Sequence, residues 1–176
     1  EYTGRMSESQ KYIYYAAGAN VTAIDALPQT ELVKNNSMEI LYFTEQADEF
    51  LTEALRTYGG KEFRSVLDDD LGLENKEAEE NEGDHSAVLA FVKETLGDEI
   101  KEARISKKLV NHPVCLTAEG GLSFEMEKYM NAVQPDMGMK AERVLELNAA
   151  HSAFKALEEA VENDKEKAAK YVRILY

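Results

Sequence analysis

The chain offers few residues whose types and spacing could support chemistry. Its single cysteine, Cys115, would be a nucleophile only as a thiolate, and no second cysteine forms a CxxC pair with it. The three histidines, His85, His112 and His151, are too widely separated for the i, i+4 pairing of a helical metal site. The pattern predicts a buried, inert thiol and surface or capping histidines, and it gives no sign of a catalytic centre.

Two loops resemble ligand-binding motifs, but each lacks a required residue. Residues 59–62 (GGKE) have neither the spacing of a phosphate loop nor the Ser or Thr that follows its lysine. Asp68, Asp70 and Glu79 occupy positions 1, 3 and 12 of a calcium loop, whereas Leu73 stands at position 6, where the loop needs glycine. We expect neither a phosphate nor a metal ion to bind these loops.

The composition indicates an acidic globular chain. Its 176 residues are 44% hydrophobic, enough for one large or two small domains. The net charge of −14 argues against nucleic acid as a partner, because the phosphates would be repelled. No apolar run approaches the ~18 residues of a membrane span. The single cysteine excludes an internal disulfide and favours a reducing, cytoplasmic location. The chain opens on Glu1 without an initiator methionine, which suggests a piece of a longer protein.

More than half of the chain's net negative charge lies in one segment. Residues 68–84 contain nine acidic residues and one lysine, giving −8 of the total −14. Because few of these side chains could be buried, the segment is predicted to be a solvated linker or exposed helical connector between two domains.

The first third of the chain alternates between strand and helix patterns. Strands are predicted at residues 12–16, 39–43 and 62–67, and helices at residues 20–27, 28–34 and 45–58. The last helix has Ala47, Phe50, Leu51, Ala54 and Leu55 on one side. This alternation predicts a small parallel sheet with helices on its faces.

The second half is predicted to be α+β. Helices are expected at residues 87–96, 121–133, 151–162 (with Asn148 as N-cap) and 164–176, and strands at residues 100–105, 113–117 and 143–147. The last helix carries Ala168, Ala169, Val172, Leu175 and Tyr176 on a face that is predicted to be left uncovered.

The helix predicted at residues 121–133 has an unusual apolar face. Its stripe comprises Leu122, Met126, Tyr129, Met130 and Val133. Methionine is unbranched and polarisable, so such a face adapts to many shapes. Two interpretations follow: the stripe packs on the core of its own domain, or it is an adaptable surface for apolar segments of other proteins.

Several motifs together resemble one family. Residues 2–15 follow the pattern YxxRMxExQxxIYY, which closely resembles a signature near the end of the middle domain of the heat-shock protein 90 chaperones, most of all the bacterial ones. The match continues in order along the chain at residues 48–50 (DEF), 60–61 (GK), 65–66 (SV), Ser106, 109–110 (LV), Pro113, 137–139 (MGM), 145–148 (LELN) and His151. Lys108, Ala149 and Ser37 depart from the family pattern. At Ser37 the family has glycine, and Asn35 or Asn36 is expected to adopt the left-handed conformation instead.

The resemblance implies a division into domains and a function. It implies an α/β subdomain of three layers (residues 1–67), the acidic connector (68–84) and an α+β dimerisation domain (85–176) that is cut before its last helix. The parent would be an ATP-dependent chaperone that uses ATP and Mg in an N-terminal domain outside this chain, so the chain itself is expected to have no ATPase activity. The ordered motifs and the absence of catalytic patterns together favour a piece of a chaperone.

The resemblance also implies site residues. By position, the residues that contact client proteins in the bacterial family correspond to Phe50, Leu122, Met126, Tyr129 and Met130. Ala168, Val172, Leu175 and Tyr176 would contact a second protomer in a homodimer. The alternative from another class is a small α/β thiol enzyme with Cys115 as nucleophile.

Overall fold

The structure is a computed structural model that describes residues 1–45, 48–81 and 83–176. The predicted position of Ala47 and the part of the acidic segment at Glu82 lie outside the described residues. The chain is divided into two compact units. The first comprises Glu1–Glu74 and Ser123–Lys140, and the second comprises Asn75–Leu122 and Ala141–Tyr176.

The described residues form mixed α/β structure, which confirms the predicted fold class. The strands are β1 (Tyr12–Ala17), β2 (Leu41–Phe43), β3 (Thr57–Tyr58), β4 (Lys61–Ser65), β5 (Glu102–Ile105), β6 (Val114–Glu119) and β7 (Glu142–Leu147). The helices are α1 (Val21–Asp25), α2 (Glu31–Asn35), α3 (Asp48–Leu55), α4 (Lys76–Glu80), α5 (Ser86–Leu96), α6 (Phe124–Val133), α7 (Ser152–Asn163) and α8 (Lys165–Leu175).

The sheet of the first unit is organised around β1. Its strand order is β2-β1-β4-β3, with β1 parallel to both β2 and β4 and β3 antiparallel to β4. The residues at the centre of β1, Ile13, Tyr14, Tyr15 and Ala16, are all buried. A strand with neighbours on both sides and an unbroken apolar run is what the sequence predicted for a parallel sheet covered on both faces.

The predicted helix at residues 45–58 is shorter in the structure. It ends at Leu55, because Thr57 and Tyr58 form β3 and pair with Lys61 and Glu62 of β4. The turn between these strands contains Gly59 and Gly60, both at positive φ (58° and 78°), which glycine adopts without the steric cost of a Cβ.

Two other local predictions are corrected. Ser37 itself is left-handed, with φ of 55°, whereas Asn36 has φ of −83°. His151 and not Asn148 is the N-cap of α7, and its Nδ1 accepts a hydrogen bond from the Ala153 amide at 3.0 Å. The side-chain amide of Asn148 instead donates to the backbone carbonyls of Val110 and His112. Asn148 therefore stabilises the loop at residues 110–112 and does not cap the helix.

The second unit packs helices on a three-stranded sheet. Its strand order is β5-β7-β6, with β7 parallel to β5 and antiparallel to β6. A cluster of buried side chains is contributed by the sheet, α5, α7 and α8, and its helical members include Val92, Phe154, Leu157, Ala168 and Val172. Three amphipathic helices thus pack on one apolar sheet face; the sequence periodicity predicted that each helix is amphipathic, but not that α8 is covered.

A buried carboxylate lies on the central strand of this unit. Glu146 is 2% exposed and accepts hydrogen bonds from Ser106 Oγ (2.8 Å), Thr117 Oγ1 (3.0 Å) and Arg104 Nη2 (3.0 Å). Lys108 Nζ, on a side chain that is also buried, lies 3.2 Å away. Burial alone would raise the pKa of Glu146, but the charges of Lys108 and Arg104 and the Ser106 hydroxyl outweigh it and lower the pKa. Lys108, a departure from the family pattern, therefore holds an ionised carboxylate inside the unit.

The acidic segment is less solvated than its composition predicted. Leu71 is 3% exposed, and its carbonyl accepts a hydrogen bond from Tyr14 Oη at 2.7 Å. Asn75 is 8% exposed, and its amide nitrogen donates to the carbonyls of Lys107 (3.1 Å) and Leu109 (3.0 Å). The compact units also differ from the predicted domains, because they group residues 123–140 with the first unit and divide the acidic segment at residue 74. The boundaries at 67 and 84 stay predictions.

This arrangement predicts where limited proteolysis begins. A glutamate-specific protease should cut after Glu80, which is exposed in the short helix α4, before it cuts after Glu74. The backbone around Glu74 is held by Leu71 and Asn75, and a protease needs a locally unfolded substrate. Mass spectrometry of the first nicked species measures the site. Leu71→Asp, which removes one anchor, should make the two sites equally sensitive.

The same nick should not separate the pieces under native conditions. Residues 123–140 lie in the second fragment but pack within the first unit. We expect the nicked protein to co-elute on size exclusion and to separate only in denaturant. Release of two independent pieces without denaturant would contradict this division into units.

Candidate functional site

Helix α6, at the centre of the candidate site, begins at a well-formed cap. Ser123 precedes it with extended backbone, and its Oγ accepts a hydrogen bond from the Met126 amide at 3.1 Å. Glu125 and Glu127 lie in the first turn, where negative charge is favourable to the helix dipole. The predicted helix at residues 121–133 is thus confirmed from Phe124 to Val133.

The same serine hydroxyl links α6 to α3. Ser123 Oγ donates to Glu49 Oε2 at 2.5 Å, across 74 positions of sequence. Glu49 is only 7% exposed, so its carboxylate needs hydrogen-bond donors from the protein in place of water. One hydroxyl therefore serves both as the cap of α6 and as a partner of a buried carboxyl group on α3.

An aromatic contact lies beside this link. The rings of Phe50 on α3 and Tyr129 on α6 are 5.7 Å apart with an interplanar angle of 62°. This edge-to-face arrangement is favoured by the ring quadrupoles. Phe50 remains 38% exposed and Tyr129 is half-buried. The contact supports both rings while leaving part of each accessible.

Helix α3 is amphipathic with its polarity reversed. It buries Glu49 (7% exposed) and Thr52 (4%), whereas Leu51 (53%) and Leu55 (50%) face outward. Thr52 satisfies its buried hydroxyl by donating to the Glu49 carbonyl at 2.8 Å. The apolar side of this helix, which the sequence placed on one face, is therefore a surface and not a core. Exposed apolar groups of this kind mark interaction sites.

The five residues expected to contact clients do not share one environment. Phe50, Tyr129 and Met130 belong to the first unit and are partly accessible, but Met126 is only 8% exposed. The structure thus corrects the expectation that Met126 is a surface residue, because its side chain lies on the buried side of α6. Leu122 is half-buried and belongs to the second unit. We call Phe50, Leu51, Leu55, Tyr129 and Met130 the α3–α6 surface.

A cavity of about 280 Å³ adjoins the α3–α6 surface. Its walls come from residues 17–19 at the end of β1, residues 43–45 at the end of β2, and Glu49, Glu125, Lys128 and Tyr129. The carboxyl ends of parallel strands commonly form the floor of ligand crevices. Tyr129 belongs both to this cavity and to the α3–α6 surface.

The predicted dimerisation residues also divide into two groups. Ala168 (0% exposed) and Val172 (1%) are part of the core of the second unit, and Leu175 packs against that core. The expectation that this face of α8 is uncovered is therefore wrong, because α5 and α7 cover it. Tyr176 is 38% exposed and Ile174 is 78% exposed.

Cys115 lies in β6 with its side chain buried, as the sequence predicted. Its Sγ is 3.9 Å from Glu146 Oε2. Burial, and then the negative charge of Glu146, raise the pKa of the thiol. A thiol in this environment stays protonated at neutral pH, and a protonated thiol is a poor nucleophile.

Two of the histidines, His151 and His85, make contacts that stabilise the fold. His151 caps α7, while His85 lies edge-on to the Phe154 ring at 5.0 Å, with its Nδ1 3.0 Å from Glu158 Oε1. Among the described residues, no three His, Cys, Asp or Glu side chains are grouped to hold a metal ion. No helix within the described ranges is long and apolar enough to cross a membrane.

The double role of Ser123 gives a stability prediction. Ser123→Ala should lower the free energy of unfolding by about 2–4 kcal/mol, because it removes an N-cap and one donor to a buried carboxylate. Urea denaturation measures the change. Ser7→Ala is the matched control, since Ser7 is exposed and its hydroxyl contacts only the Ser9 hydroxyl among the described side chains. Equal effects of the two substitutions would contradict the role assigned to Ser123.

Comparison with known proteins agrees with the motifs. The family model described as "Hsp90 protein" matches residues 1–176. The chain is 47% identical over 180 residues to the chaperone protein HtpG of Bacillus subtilis and 48% identical over 180 residues to that of Alkaliphilus metalliredigens. It is 46% identical over 177 residues to HtpG of Clostridium perfringens.

Each of these alignments covers all of the chain but only 28–29% of the relative. The chain therefore corresponds to a little over a quarter of the length of the bacterial chaperones that it matches. A match along the whole chain, with the family motifs in order, confirms the resemblance found in the sequence: the chain belongs to the Hsp90 protein family.

Proposed function

We propose that this chain is part of an ATP-dependent molecular chaperone and that its α3–α6 surface binds unfolded or partly folded client proteins. The observation that carries the proposal is the reversed polarity of α3, which exposes Leu51 and Leu55 while burying Glu49 and Thr52. Such a helix leaves apolar area in water unless a partner covers it. The membership of the chain in a chaperone family makes a client segment the favoured partner.

The chemistry of the α3–α6 surface suits weak and adaptable binding. Full burial of one large apolar side chain contributes about 1.5–3 kcal/mol, so five such residues give at most about 7–15 kcal/mol. Association costs of about 4–15 kcal/mol offset most of this gain. Micromolar or weaker contacts are expected, as a chaperone that must release its clients requires. Met130 adds a flexible side chain that can repack around different partners.

The activity of the whole protein is proposed from the family. ATP and Mg would act in the parent chaperone through residues outside this chain, which itself is proposed to have no enzymatic activity. The parent would be a homodimeric protein of the cytoplasm, with no nucleic acid or membrane partner. The net charge of −14 supports the exclusion of nucleic acid, because phosphates would be repelled.

The thiol-enzyme alternative is disfavoured by one observation. Cys115 is 6% exposed, and burial raises the pKa of its thiol. Catalytic cysteines instead have lowered pKa values and partial exposure. The chaperone proposal requires no reactive thiol.

Variants on the α3–α6 surface test the proposal. Phe50→Ser combined with Tyr129→Ser should raise the concentration needed to suppress aggregation of heat-unfolded citrate synthase by at least about tenfold, the change expected for loss of ~1.4 kcal/mol. Light scattering measures it. Leu51→Ser combined with Leu55→Ser should act in the same direction without loss of internal packing, because both residues are about half exposed.

Tyr58→Ser is the matched control, since Tyr58 is an exposed aromatic residue (62%) of the same unit but lies outside the α3–α6 surface. It should leave suppression unchanged. Folded double variants that suppress aggregation as well as the unchanged protein would refute the proposed client surface, and unfolding of the Leu51, Leu55 variant would show that these residues are core.

The state of assembly gives a second test. We propose that Leu175 and Tyr176 contribute to a dimer in the parent, while Ala168 and Val172 stabilise the fold of the second unit. In this 176-residue chain the apolar face of α8 is already covered, which leaves few groups such as Ile174 for a second protomer. Stable interfaces generally bury at least ~1,000 Å².

We therefore expect this chain to sediment as a monomer or weak dimer at micromolar concentration, and the full-length protein to sediment as a dimer. Analytical ultracentrifugation over a tenfold concentration range measures both. A concentration-independent dimer of the 176-residue chain would contradict the expectation.

A further inference from the structure

The cavity beside Tyr129 has a chemical character distinct from that of the α3–α6 surface. Three acidic residues, Glu45, Glu49 and Glu125, line it together with one basic residue, Lys128. Lys128 Nζ donates to Glu125 Oε1 at 2.6 Å, so the basic residue among the described lining residues is paired with one of the three acids. Acidic residues therefore outnumber basic ones by three to one among the described lining residues.

Aromatic rings complete the wall. Phe43, at the end of β2, and Tyr129, on α6, both line the cavity. An aromatic face attracts a cation within about 6 Å of its centroid, and carboxylates form charge-assisted hydrogen bonds with the same cation. Rings and carboxylates around one cavity are thus suited to an organic cation, which needs apolar contact along its stem and anionic partners at its head.

The dimensions also limit the occupant. Pockets for small molecules and cofactors usually have roughly 300–1,000 Å³, so this cavity of about 280 Å³ lies at or below the lower end. It suits one long side chain. Glu45 and Lys128 are exposed, which places part of the wall at the solvent. Within the described residues no metal-ligating cluster occurs, and this favours an organic cation over a metal ion.

We propose that this cavity receives an arginine or lysine side chain of a client segment whose apolar residues lie on the α3–α6 surface. The inference rests on the proposed function and adds a preference: the chain selects segments that are basic as well as apolar. Tyr129 connects the two parts, because its ring both contacts Phe50 and lines the cavity. An acidic segment would be repelled by the excess of carboxylates.

The test uses the 176-residue chain and three labelled peptides of one design, which differ only at a single central position. Each peptide has twelve residues, with Leu and Phe flanking a central Arg, Gln or Glu. Fluorescence anisotropy measures their dissociation constants at low and physiological salt. We expect the Arg peptide to bind about tenfold more tightly than the Gln peptide and the Glu peptide to bind most weakly. The advantage of Arg should shrink at higher salt.

A charge-neutral cavity provides the specific control. Glu45→Gln combined with Glu125→Gln should reduce the advantage of the Arg peptide over the Gln peptide to about twofold or less. Glu8→Gln combined with Glu74→Gln removes the same total charge from two exposed positions of the first unit that do not line the cavity. This matched variant should keep the preference, which separates a local site from general attraction to an acidic protein.

The outcomes distinguish the two proposals. If the Arg and Gln peptides bind equally and Leu51→Ser with Leu55→Ser weakens both, the client surface stands and the cavity proposal is wrong. If both pairs of Gln variants reduce the preference equally, the cation is attracted by net charge and the cavity proposal is also wrong. If no peptide binds, the cavity proposal fails together with the proposed client surface.

Discussion

The hydrogen bond from the Ser123 hydroxyl to the buried Glu49 carboxyl group links α6 to α3 within the first unit. Glu49 is almost fully buried, so loss of this donor would remove one hydrogen bond from a carboxyl group that is shielded from water. The serine is also the N-cap of α6, so the start of the helix and its attachment to α3 depend on one atom. The Phe50–Tyr129 contact joins the same two helices, and Glu49 and Tyr129 both line the adjoining cavity.

Buried carboxylates have different consequences in the two units. The Glu146 carboxylate is surrounded by Arg104, Lys108 and two hydroxyl groups. These donors satisfy the buried carboxylate on β7. Glu49 occupies the inner side of α3, and the apolar residues of that helix consequently face solvent. A buried charge is rarely worth its desolvation for stability alone. In the first unit the buried carboxyl group of Glu49 accompanies the exposed apolar residues Leu51 and Leu55 of the same helix.

Much of the fold could be predicted from periodicity. The apolar run of β1, the alternation of strands and helices around it and the amphipathic α7 all follow from local patterns with known periods. The family motifs identified Phe50, Tyr129 and Met130 as candidate residues, and the structure brings the first two together. A helix at residues 121–133 was predicted by its stripe.

What the sequence could not show were contacts between distant residues. The pattern at residues 48–55 predicted an amphipathic helix but not which side is buried, because the contacts of that side, such as the hydrogen bond from Ser123 to Glu49, come from distant residues. The burial of Met126 and Val172 and the anchoring of Leu71 by Tyr14 depend in the same way on tertiary packing. Ser123, which stands before a helix pattern, was a signal for an N-cap. The sequence of α3 gave no signal that its polar side would be buried and its apolar side exposed.

Nuclear magnetic resonance of the methionine methyl groups tests the central claim, that the α3–α6 surface binds apolar client segments. The chain has six methionines, so the spectrum of a methyl-labelled sample is simple to assign. On addition of an unfolded client, the Met130 methyl signal should shift or broaden, while those of Met6 and Met38, in the first unit but outside the surface, should not change. A client that binds and perturbs Met6 or Met38 but leaves Met130 unchanged would contradict the account.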